Sequence, residues 1–434
     1  MKIAMIGSGY VGLVSGVCFA DFGHQVACVD KDEGRIGALL RGEIPIFEPG
    51  LDALVEANLR SRRLSFTTDL AAAVAEAEVV FLAVGTPSRR GDGFADLSYI
   101  YAAARDVARA IKGFTVVVTK STVPVGTGDE VERIIAEARP DAEFAVCSNP
   151  EFLREGAAIS DFKLPDRIVV GTGDARAREV MSEVYRPLNL NQPPLYFVDR
   201  RSAELIKYAA NSFLATKVAF INEMADLCEK VGADVQDVAR GIGMDKRIGL
   251  KFLHPGPGFG GSCFPKDALA LAKTAQDHDA PLHIVEAVVA ANDRRKRAMA
   301  KRIVAACGGS VRGKTIALLG LAFKLNTDDM RDAPSISIVT ALEDAGAKVR
   351  AYDPKAMAQA RPIMPDVTFC DDPYDCATGA EALAMVTEWD EFRALDLTRI
   401  KSLMAAPNLI DLRNIYRPAD ARKHGFSYSS IGRP

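Results

Sequence analysis

Cys263 lies in a stretch of residue types that suit a nucleophile. The stretch reads FLHPGPGFGGSCFPKD over residues 252–267, and the sequence after Pro265 has a helical pattern. Cys263 therefore precedes a helix N-terminus, with Lys266 three residues further on, and both features favour the nucleophilic thiolate. The other seven cysteines fit small buried side chains. We predict that Cys263 acts as a nucleophile.

Lys207 and Asn211 are spaced four residues apart in the segment KYAAN. In a helix this spacing places an ammonium and an amide on one face, where they could stabilise an alkoxide or the oxyanion of a thiohemiacetal. A solvated helix face explains the same spacing and is the simpler interpretation of spacing alone. The sequence leaves both interpretations open.

Thr122 and the segment NPEFLRE at residues 149–155 each follow an apparent strand. Ligands of open α/β sheets bind beyond the carboxyl ends of the strands, so both segments are predicted to line a crevice. Glu151 and Glu155 could share a helix face, one for proton transfer and the other for cofactor contact. Favourable charge at a helix N-terminus explains two acids equally well. His254 could serve the site or be an ordinary loop residue.

The opening residues KIAMIGSGYVG predict a strand, a glycine turn and a helix. Gly7 permits the tight turn, Gly9 lets the backbone approach a pyrophosphate, and Gly12 lets the helix pack against the strand. Asp30 follows 18 residues after Gly12, at the end of the next apparent strand, where an acid binds the ribose 2′-hydroxyl. The pattern predicts a dinucleotide and favours NAD over NADP, although nearby basic residues weaken the second inference.

The rest of the chain predicts the elements that position these residues. Short apolar strands alternate with alanine-rich helices, which indicates a parallel sheet covered on both faces. Residues 201–231 contain neither Gly nor Pro and predict one helix of roughly 45 Å. After residue 309, KTIALLGLAFK echoes the opening strand and turn. The expected fold is α/β, with two Rossmann-like doubly wound domains (1–200 and 308–434) joined by a long central helix and helical region (201–307).

Composition excludes several classes of protein. The 434 residues are 48% hydrophobic and 26% charged, which supplies more than one core, and the net charge of −3 gives no field to attract nucleic acid or an anionic membrane. Eight cysteines without paired short spacings predict neither a disulfide framework nor a metal site. The uncharged residues 3–20 have the layout of a signal peptide, but four glycines interrupt them. We therefore expect a cytoplasmic protein.

The motifs together carry a family resemblance that covers nearly the whole chain. In order, they are GSGYVG, Asp30, STVPVGT, NPEFLREG, KYAANSFLATK, GFGGSCFPKD, and GLAFK followed by TDDMRDAPS. This set resembles the NAD-dependent nucleotide-sugar dehydrogenases, which oxidise UDP-glucose, GDP-mannose or UDP-N-acetylhexosamines, and the segment at 252–267 leans toward the UDP-glucose branch. The resemblance implies two successive oxidations of a sugar C6 alcohol to a carboxylate, with two NAD and one water.

The resemblance also implies a role for each catalytic candidate. Cys263 would attack the aldehyde, a second hydride transfer would give a thioester, and water would hydrolyse it. Lys207 would stabilise developing negative charge. The other implied catalytic residues are Asn211 beside that lysine, Thr122 and Asp267 at the water, and Glu151 in proton transfer.

Binding residues follow from the same resemblance. For NAD they are Gly7, Gly9, Val11, Gly12, Asp30, Arg35, Thr86, Thr122, Glu155, Lys266 and Arg331. For the nucleotide sugar they are Glu151, Phe152, Leu153, Arg154, Glu155, Lys207, Asn211, Arg247, Phe252, Leu253, His254, Pro255, Gly256, Gly260 and Lys324. Members often carry lysine where this chain has Arg35. Arg247 matches a residue that reaches the neighbouring subunit's substrate, which implies a homodimer formed through the long helix.

Three alternatives remain. A two-electron dehydrogenase would stop at an aldehyde or ketone and would leave Cys263 a structural role. The same four-electron chemistry could act on GDP-mannose or a UDP-N-acetylhexosamine. A non-enzymatic NAD sensor could use the fold alone, but it would not need Cys263, Lys207 and Asn211 together.

Overall fold

The computed structural model describes residues 1–87, 89, 94–191 and 195–433. The chain folds as two compact units. The N-terminal unit contains Met1–Ala210 and Lys273–His278, and the C-terminal unit contains Asn211–Ala272 and Asp279–Pro434. Each unit holds a largely parallel sheet flanked by helices, and a long helix lies between the two sheets in the sequence, so the predicted fold class is confirmed.

The N-terminal unit is built on an eight-stranded sheet with the order β3-β2-β1-β4-β5-β6-β7-β8. Its strands are β1 (Lys2–Ile6), β2 (Gln25–Val29), β3 (Leu64–Thr67), β4 (Val79–Leu82), β5 (Thr115–Thr119), β6 (Phe144–Ser148), β7 (Ile168–Gly171) and β8 (Leu195–Val198). Its helices are α1 (Tyr10–Asp21), α2 (Glu33–Leu40), α3 (Leu51–Arg60), α4 (Leu70–Ala75), α5 (Ser98–Ala110), α6 (Thr127–Ala138), α7 (Ala158–Lys163) and α8 (Ala175–Val184), followed by a 3-10 turn (Arg186–Asn191).

The interior positions of the central strands are apolar because both faces of this sheet are buried. Along β1, Ile3 and Met5 join the core on one face, whereas Ala4 and Ile6 join the core on the other. Successive side chains of a strand point to opposite faces, so a strand covered on both sides has no polar alternation. The strand order changes direction between β1 and β4, and a ligand crevice is expected at the carboxyl ends of these strands.

Two strands, β7 and β8, run against the expected parallel direction. β7 pairs antiparallel with β6 through Ser148 and Gly171. The connection from β6 to β7 covers residues 149–167 and contains one helix, the six-residue α7. The chain re-enters the sheet from the end at which it left, and the last residues of the two strands, Ser148 and Gly171, are paired.

The C-terminal unit contains a six-stranded sheet with the order β11-β10-β9-β12-β13-β14. The strands are β9 (Thr315–Leu319), β10 (Lys348–Tyr352), β11 (Thr368–Phe369), β12 (Ala382–Met385), β13 (Asn408–Asp411) and β14 (Ser427–Ser430). Between the two sheets the chain forms α9 (Arg200–Val231), α10 (Val235–Gly243), α11 (Phe264–Asp277) and α12 (His283–Ala306). The remaining helices are α13 (Pro334–Asp344), α14 (Met357–Ala360), α15 (Pro373–Ala377), α16 (Asp390–Arg393), α17 (Leu397–Leu403) and α18 (Pro418–Lys423).

The second sheet repeats the order of the first six strands of the N-terminal sheet, as the echoed sequence predicts. Its acid at the end of the second strand, Asp353, is nevertheless fully used by the protein. One carboxylate oxygen accepts the amides of Leu321 and Ala322 and the indole N–H of Trp389. The other oxygen accepts the amides of residues 355 and 356. Asp353 therefore fixes the turn after β9.

The predicted long helix is present as α9, with 32 residues, and it contributes residues to both units. None of the helices in the described ranges combines the length and apolar composition that a membrane span requires.

Candidate functional site

The glycine turn after β1 has the geometry that a dinucleotide requires. Gly7 has a φ of +104°, and a Cβ on it would lie 2.6 Å from the carbonyl oxygen of Ala83. A Cβ on Gly12 would overlap the carbonyl oxygen of Gly7, whereas no atom lies within 4 Å of a Cβ placed on Gly9. Packing thus requires glycine at positions 7 and 12, and Gly9 leaves open space at the N-terminus of α1. This arrangement fits a pyrophosphate.

Asp30 lies at the end of β2 beside this turn. Its carboxylate accepts the amides of Ser8 at 2.8 Å and Asp32 at 3.1 Å, and Arg35 donates to it at 2.9 Å. Burial disfavours the charged carboxylate, but the two amides and the guanidinium outweigh burial and lower the pKa of Asp30. The family resemblance implies that Asp30 and Arg35 each contact the cofactor. In the structure, the two side chains also form an ion pair with each other. An ionised acceptor suits a ribose hydroxyl.

The loops that follow β4 and β5 meet through two threonines. The hydroxyl of Thr86 donates to the carbonyl oxygen of Thr122 at 3.1 Å. Ser121 also links the loops, because its hydroxyl donates to the carbonyl oxygen of Val84 at 2.7 Å. Thr122 lies beyond the carboxyl end of β5, and Val11 lies in the first turn of α1.

Lys207 and Glu151 form a buried ion pair. Nζ of Lys207, on α9, lies 3.2 Å from Oε1 of Glu151, which follows β6, and both side chains are buried. The same ammonium lies 5.3 Å from the ring centroid of Phe152. Lys207 is therefore not part of a solvated helix face. An ammonium and a carboxylate held together inside a protein can move a proton or stabilise an oxyanion.

The segment around Glu151 is not the helix that the sequence suggested. The structure places residues 151–157 in irregular and turn conformations, and α7 begins only at Ala158. The carboxylate of Glu151 accepts the amide of Leu153, and Gly156 has a φ of +79°, which a helix cannot contain. Glu151 and Glu155 therefore do not share a helix face. The side chain of Arg154 pairs with Asp161.

Cys263 directly precedes α11, as predicted. All eight cysteines lie in the described part of the chain, and Cys263 is half-buried while the other seven are buried. Burial raises the pKa of Cys18, Cys28 and Cys147 to about 12, so these thiols stay protonated. The position of Cys263 at a helix N-terminus suits a nucleophile.

The first turn of α11 also carries a buried carboxylate. Asn211, on α9, donates from Nδ2 to Oδ2 of Asp267 at 2.6 Å. Nζ of Lys266 lies 3.1 Å from the other oxygen of Asp267. Among the catalytic candidates of the C-terminal unit, Asn211 and Asp267 are in contact. Asp267 lies four residues after the nucleophile candidate Cys263 in the sequence. This cluster can hold a water or a substrate hydroxyl.

The glycine-rich loop before Cys263 is clamped by buried side chains that sequence reasoning did not single out. Oδ1 of Asn222 accepts the amide of Gly256 at 2.8 Å, and Nε of Arg295 donates to the carbonyl oxygen of Gly256 at 2.6 Å. Asn292 pairs with both the amide and the carbonyl oxygen of Phe259. An arginine in the charged run NDRRKR has the sequence signature of solvated surface, so only the packing of α9 and α12 reveals these contacts.

The other predicted residues of this loop are spread over its length. Leu253, Pro255 and Gly256 are buried, whereas His254 is exposed and gains no role from its position. Phe252 has a φ of +65°, and its ring lies 6.0 Å from that of Phe264.

Close packing against the turn at Asp332 explains the glycine at position 260. A Cβ on Gly260 would overlap the carbonyl oxygen of Asp332. Arg413, which the sequence did not indicate, lies against the loop at Gly256 and donates to the carbonyl oxygens of Phe323 and Val386. The loop is thus fixed from two sides.

Three predicted basic residues lie outside these clusters. Arg247 is exposed and pairs with Asp245. Arg331 is exposed and pairs with Asp329. Nζ of Lys324 lies 5.4 Å from the ring centroid of Phe323 in the turn region after β9.

Comparison with known proteins identifies relatives along the whole chain. Three family models match: the UDP-glucose/GDP-mannose dehydrogenase family NAD binding domain at residues 1–189, its central domain at 201–294 and its UDP binding domain at 317–418. A UDP-glucose 6-dehydrogenase from Rhizobium meliloti (strain 1021) is 69% identical over 436 residues, covering 100% of both chains. One from Pseudomonas aeruginosa is 47% identical and covers 100% of this chain and 98% of the relative. The structure of a UDP-glucose dehydrogenase from Pyrobaculum islandicum has a TM-score of 0.92 at 39% identity, covering 100% of this chain and 98% of that chain.

Proposed function

Because this chain belongs to the UDP-glucose/GDP-mannose dehydrogenase family, we propose that it oxidises the C6 alcohol of UDP-glucose to a carboxylate, giving UDP-glucuronate. Membership makes the chain an NAD-dependent oxidoreductase that binds a nucleotide sugar in its UDP-binding domain. The observation that carries the choice of UDP-glucose is the similarity over the full length to relatives that are UDP-glucose 6-dehydrogenases.

The glycine turn and Asp30 hold NAD in this proposal. The amides at the start of α1 would bind the pyrophosphate, and the ionised carboxylate of Asp30 would accept a ribose hydroxyl. When bound, NAD supplies the hydride acceptor for each oxidation. We assign the remaining cofactor contacts as the resemblance implies: Val11, Arg35, Thr86, Thr122, Glu155, Lys266 and Arg331.

Cys263 carries the covalent steps. The alcohol first loses a hydride and a proton and becomes an aldehyde. The Cys263 thiolate then adds to the aldehyde carbon and forms a thiohemiacetal, whose second hydride loss produces a thioester. Water displaces the thiolate and releases the carboxylate. Two NAD and one water are consumed for each sugar, and Cys263 returns unchanged.

The two buried clusters take complementary roles in these steps. Lys207 would stabilise the negative charge that develops on the C6 oxygen, and Glu151 would assist proton transfer during hydrolysis. Asp267, held by Asn211, would orient the attacking water together with Thr122. We infer three functional regions: 1–200 for NAD, 201–307 for the nucleophile and dimerisation, and 308–434 for the uridine diphosphate.

We assign the sugar nucleotide contacts to the set that the family resemblance implies. The support is the position of these residues in the glycine-rich loop, the segment after β6 and the turn after β9. They are Glu151, Phe152, Leu153, Arg154, Glu155, Lys207, Asn211, Arg247, Phe252, Leu253, His254, Pro255, Gly256, Gly260 and Lys324.

The stoichiometry of NADH tests the proposed reaction. With excess NAD we expect two NADH for each UDP-glucose consumed, because the aldehyde is oxidised a second time as the thiohemiacetal. The absorbance of NADH and chromatography of the sugar nucleotides give both quantities. A ratio of one would exclude the four-electron mechanism and favour the two-electron alternative. Faster turnover of GDP-mannose or a UDP-N-acetylhexosamine would transfer the proposal to that substrate.

A homodimer formed through α9 completes the proposal. Phe213, Phe220 and Leu227 follow one another at intervals of seven residues, and each side chain is more than half exposed. Residues seven apart share one stripe of a helix, and an apolar stripe of this length is typical of an interface. Arg247, exposed on the same unit, is available to reach a neighbouring subunit's substrate.

Charge within this stripe is expected to dissociate the dimer. Phe220→Glu should shift the mass measured by light scattering from two chains to one, because a buried carboxylate without a partner is costly. Leu40→Glu is the matched control, since Leu40 is an exposed apolar residue of α2, outside the stripe. A monomeric wild type, or a dimer that tolerates both substitutions, would contradict the proposed interface.

We infer a reducing compartment, the cytoplasm, from the cysteines. All eight are free thiols, and seven of them are buried, which suits a protein that is not exposed to oxidation during folding.

A further inference from the structure

Lys120 is a buried lysine that neither the sequence motifs nor the proposed mechanism uses. It is the first residue after β5, and its Nζ donates to Oδ1 of Asn149 at 3.0 Å and to the hydroxyl of Tyr185 at 3.3 Å. Asn149 is the first residue after the neighbouring strand β6, and its amide donates to the carbonyl oxygen of Thr119. Lys120 therefore ties together the ends of two adjacent strands.

The contacts of this lysine suit an ammonium that is held in place without a carboxylate. The Tyr185 hydroxyl donates to Oδ1 of Asn149 and so can accept from Lys120. Nζ of Lys120 also lies 5.9 Å from the ring centroids of Phe162 and Tyr185, within cation–π range. Nδ2 of Asn149 is anchored on the carbonyl oxygen of Val169. Every polar group in this cluster is thus bonded.

The strand ends joined by Lys120 lead directly to two catalytic candidates. Thr122 lies two residues beyond Lys120, and Glu151 lies two residues beyond Asn149. The charged groups that act on Lys120 are Glu151 and Lys207, the buried ion pair of the proposed mechanism. All three side chains are buried, and Lys120 is joined through Asn149 to the segment that carries Glu151. We refer to these two ammoniums and one carboxylate as the cluster.

We propose that Lys120 is a positioning residue whose positive charge keeps the Lys207–Glu151 pair in an environment that favours an anionic C6 oxygen. The inference rests on the proposed function, because it assigns the pair a part in that reaction. With Lys120 protonated, the cluster carries a net charge of +1 and stabilises the oxyanion that forms as hydride leaves. With Lys120 neutral, the cluster has no net charge and this stabilisation is weaker.

The titration of Lys120 falls in an accessible range. Burial lowers its pKa to about 8; Glu151 opposes this shift, and Lys207 adds to it. Burial raises the pKa of Tyr185, the other titratable group in contact, so the phenol stays neutral. The rate should therefore fall as the pH rises through about 8.

The pH profile of kcat tests this inference with three variants. Lys120→Met should lower kcat roughly tenfold, the scale of one charge in a partly screened interior, and should abolish the fall above pH 8. Tyr185→Phe removes one acceptor of the ammonium, so the fall should move to lower pH while the maximal rate stays unchanged. Tyr196→Phe, at an exposed tyrosine of β8, is the matched control and should match the wild type.

Two results would overturn the inference: a wild-type profile without the fall, or a fall that keeps its position in Tyr185→Phe. Tyr185→Phe decides the question if Lys120→Met does not fold.

Unfolding by urea gives a second readout of the Lys120 charge that needs no substrate. Unfolded lysine keeps its proton to about pH 10.4, so wild-type stability should rise relative to Lys120→Met between pH 8 and 10. If wild-type stability rises in this way but the chain reduces no NAD with any nucleotide sugar, the proposed function is contradicted and the buried charge of Lys120 is established. If stability does not rise, the inference that Lys120 carries a buried charge is overturned.

Discussion

Serine at position 263 is expected to abolish complete turnover while leaving the fold intact. The rate at which two NADH form from each sugar should drop roughly 10³-fold or more, the scale seen when a covalent nucleophile is removed. The reason is that a serine hydroxyl ionises far less readily than a thiol and forms no thioester. Cys263 is half-buried, so little packing is lost and thermal unfolding should be unchanged. Stopped-flow absorbance of NADH and a thermal scan measure the two quantities.

A second cysteine provides the control for this experiment. Cys307 is buried at the end of α12, and Cys307→Ser should reduce stability while two NADH still form from each sugar. If Cys263→Ser kept the wild-type ratio and rate, the thioester would be excluded, and Cys263 would revert to the structural role of the two-electron alternative.

Methionine at position 207 is expected to affect stability and activity together. Lys207→Met preserves the length of the side chain but leaves Glu151 buried without its ammonium partner. Removing one partner of a buried pair costs about 3–5 kcal/mol of unfolding free energy. Loss of the charge that stabilises the oxyanion should lower kcat about 10³-fold. Chemical denaturation and initial rates give these values.

A double variant separates the two effects. Lys207→Met combined with Glu151→Gln removes the unpaired charge, so most of the lost unfolding free energy should return. The catalytic rate should stay low, because neither the ammonium nor the carboxylate is restored. If the double variant regained activity, the ion pair would have a structural role only. Variants of the Lys207–Glu151 pair therefore allow the effect on unfolding free energy to be separated from the effect on kcat.

Local sequence patterns predicted those parts of the fold that depend on a few adjacent residues. The glycine turn, Asp30 and the long helix α9 follow from steric limits, strand order and unbroken helical spacing, and all three are present. The reversed direction of β7 and β8 was not predicted, because a pattern of alternating apolar strands and helices does not give the direction of a single strand. The segment after β6 was expected to be helical and is a turn, because the carboxylate of Glu151 caps its own backbone.

The site was predicted less completely than the fold because burial of charge is a tertiary property. Spacing placed Lys207 and Asn211 on one helix but did not distinguish a solvated face from a buried one. Lys120 and Arg295 were not among the predicted site residues, and only the packing of several elements around them removes water. Cys263 was identifiable because its helix N-terminus is a local feature that sequence alone shows.

All acceptor sites of the Asp353 carboxylate are occupied by donors of the protein, and this limits what an acid retained at the same strand end can say about ligand binding in a duplicated unit. A carboxylate offers about four acceptor sites. Asp30 uses three donors from the described residues, which leaves capacity for a hydroxyl, whereas Asp353 accepts at least five. After duplication of such a unit, selection can retain the acid in one copy for a ligand and in the other for folding. Retention of an acid at this strand end in a repeat is therefore no measure of retained cofactor binding.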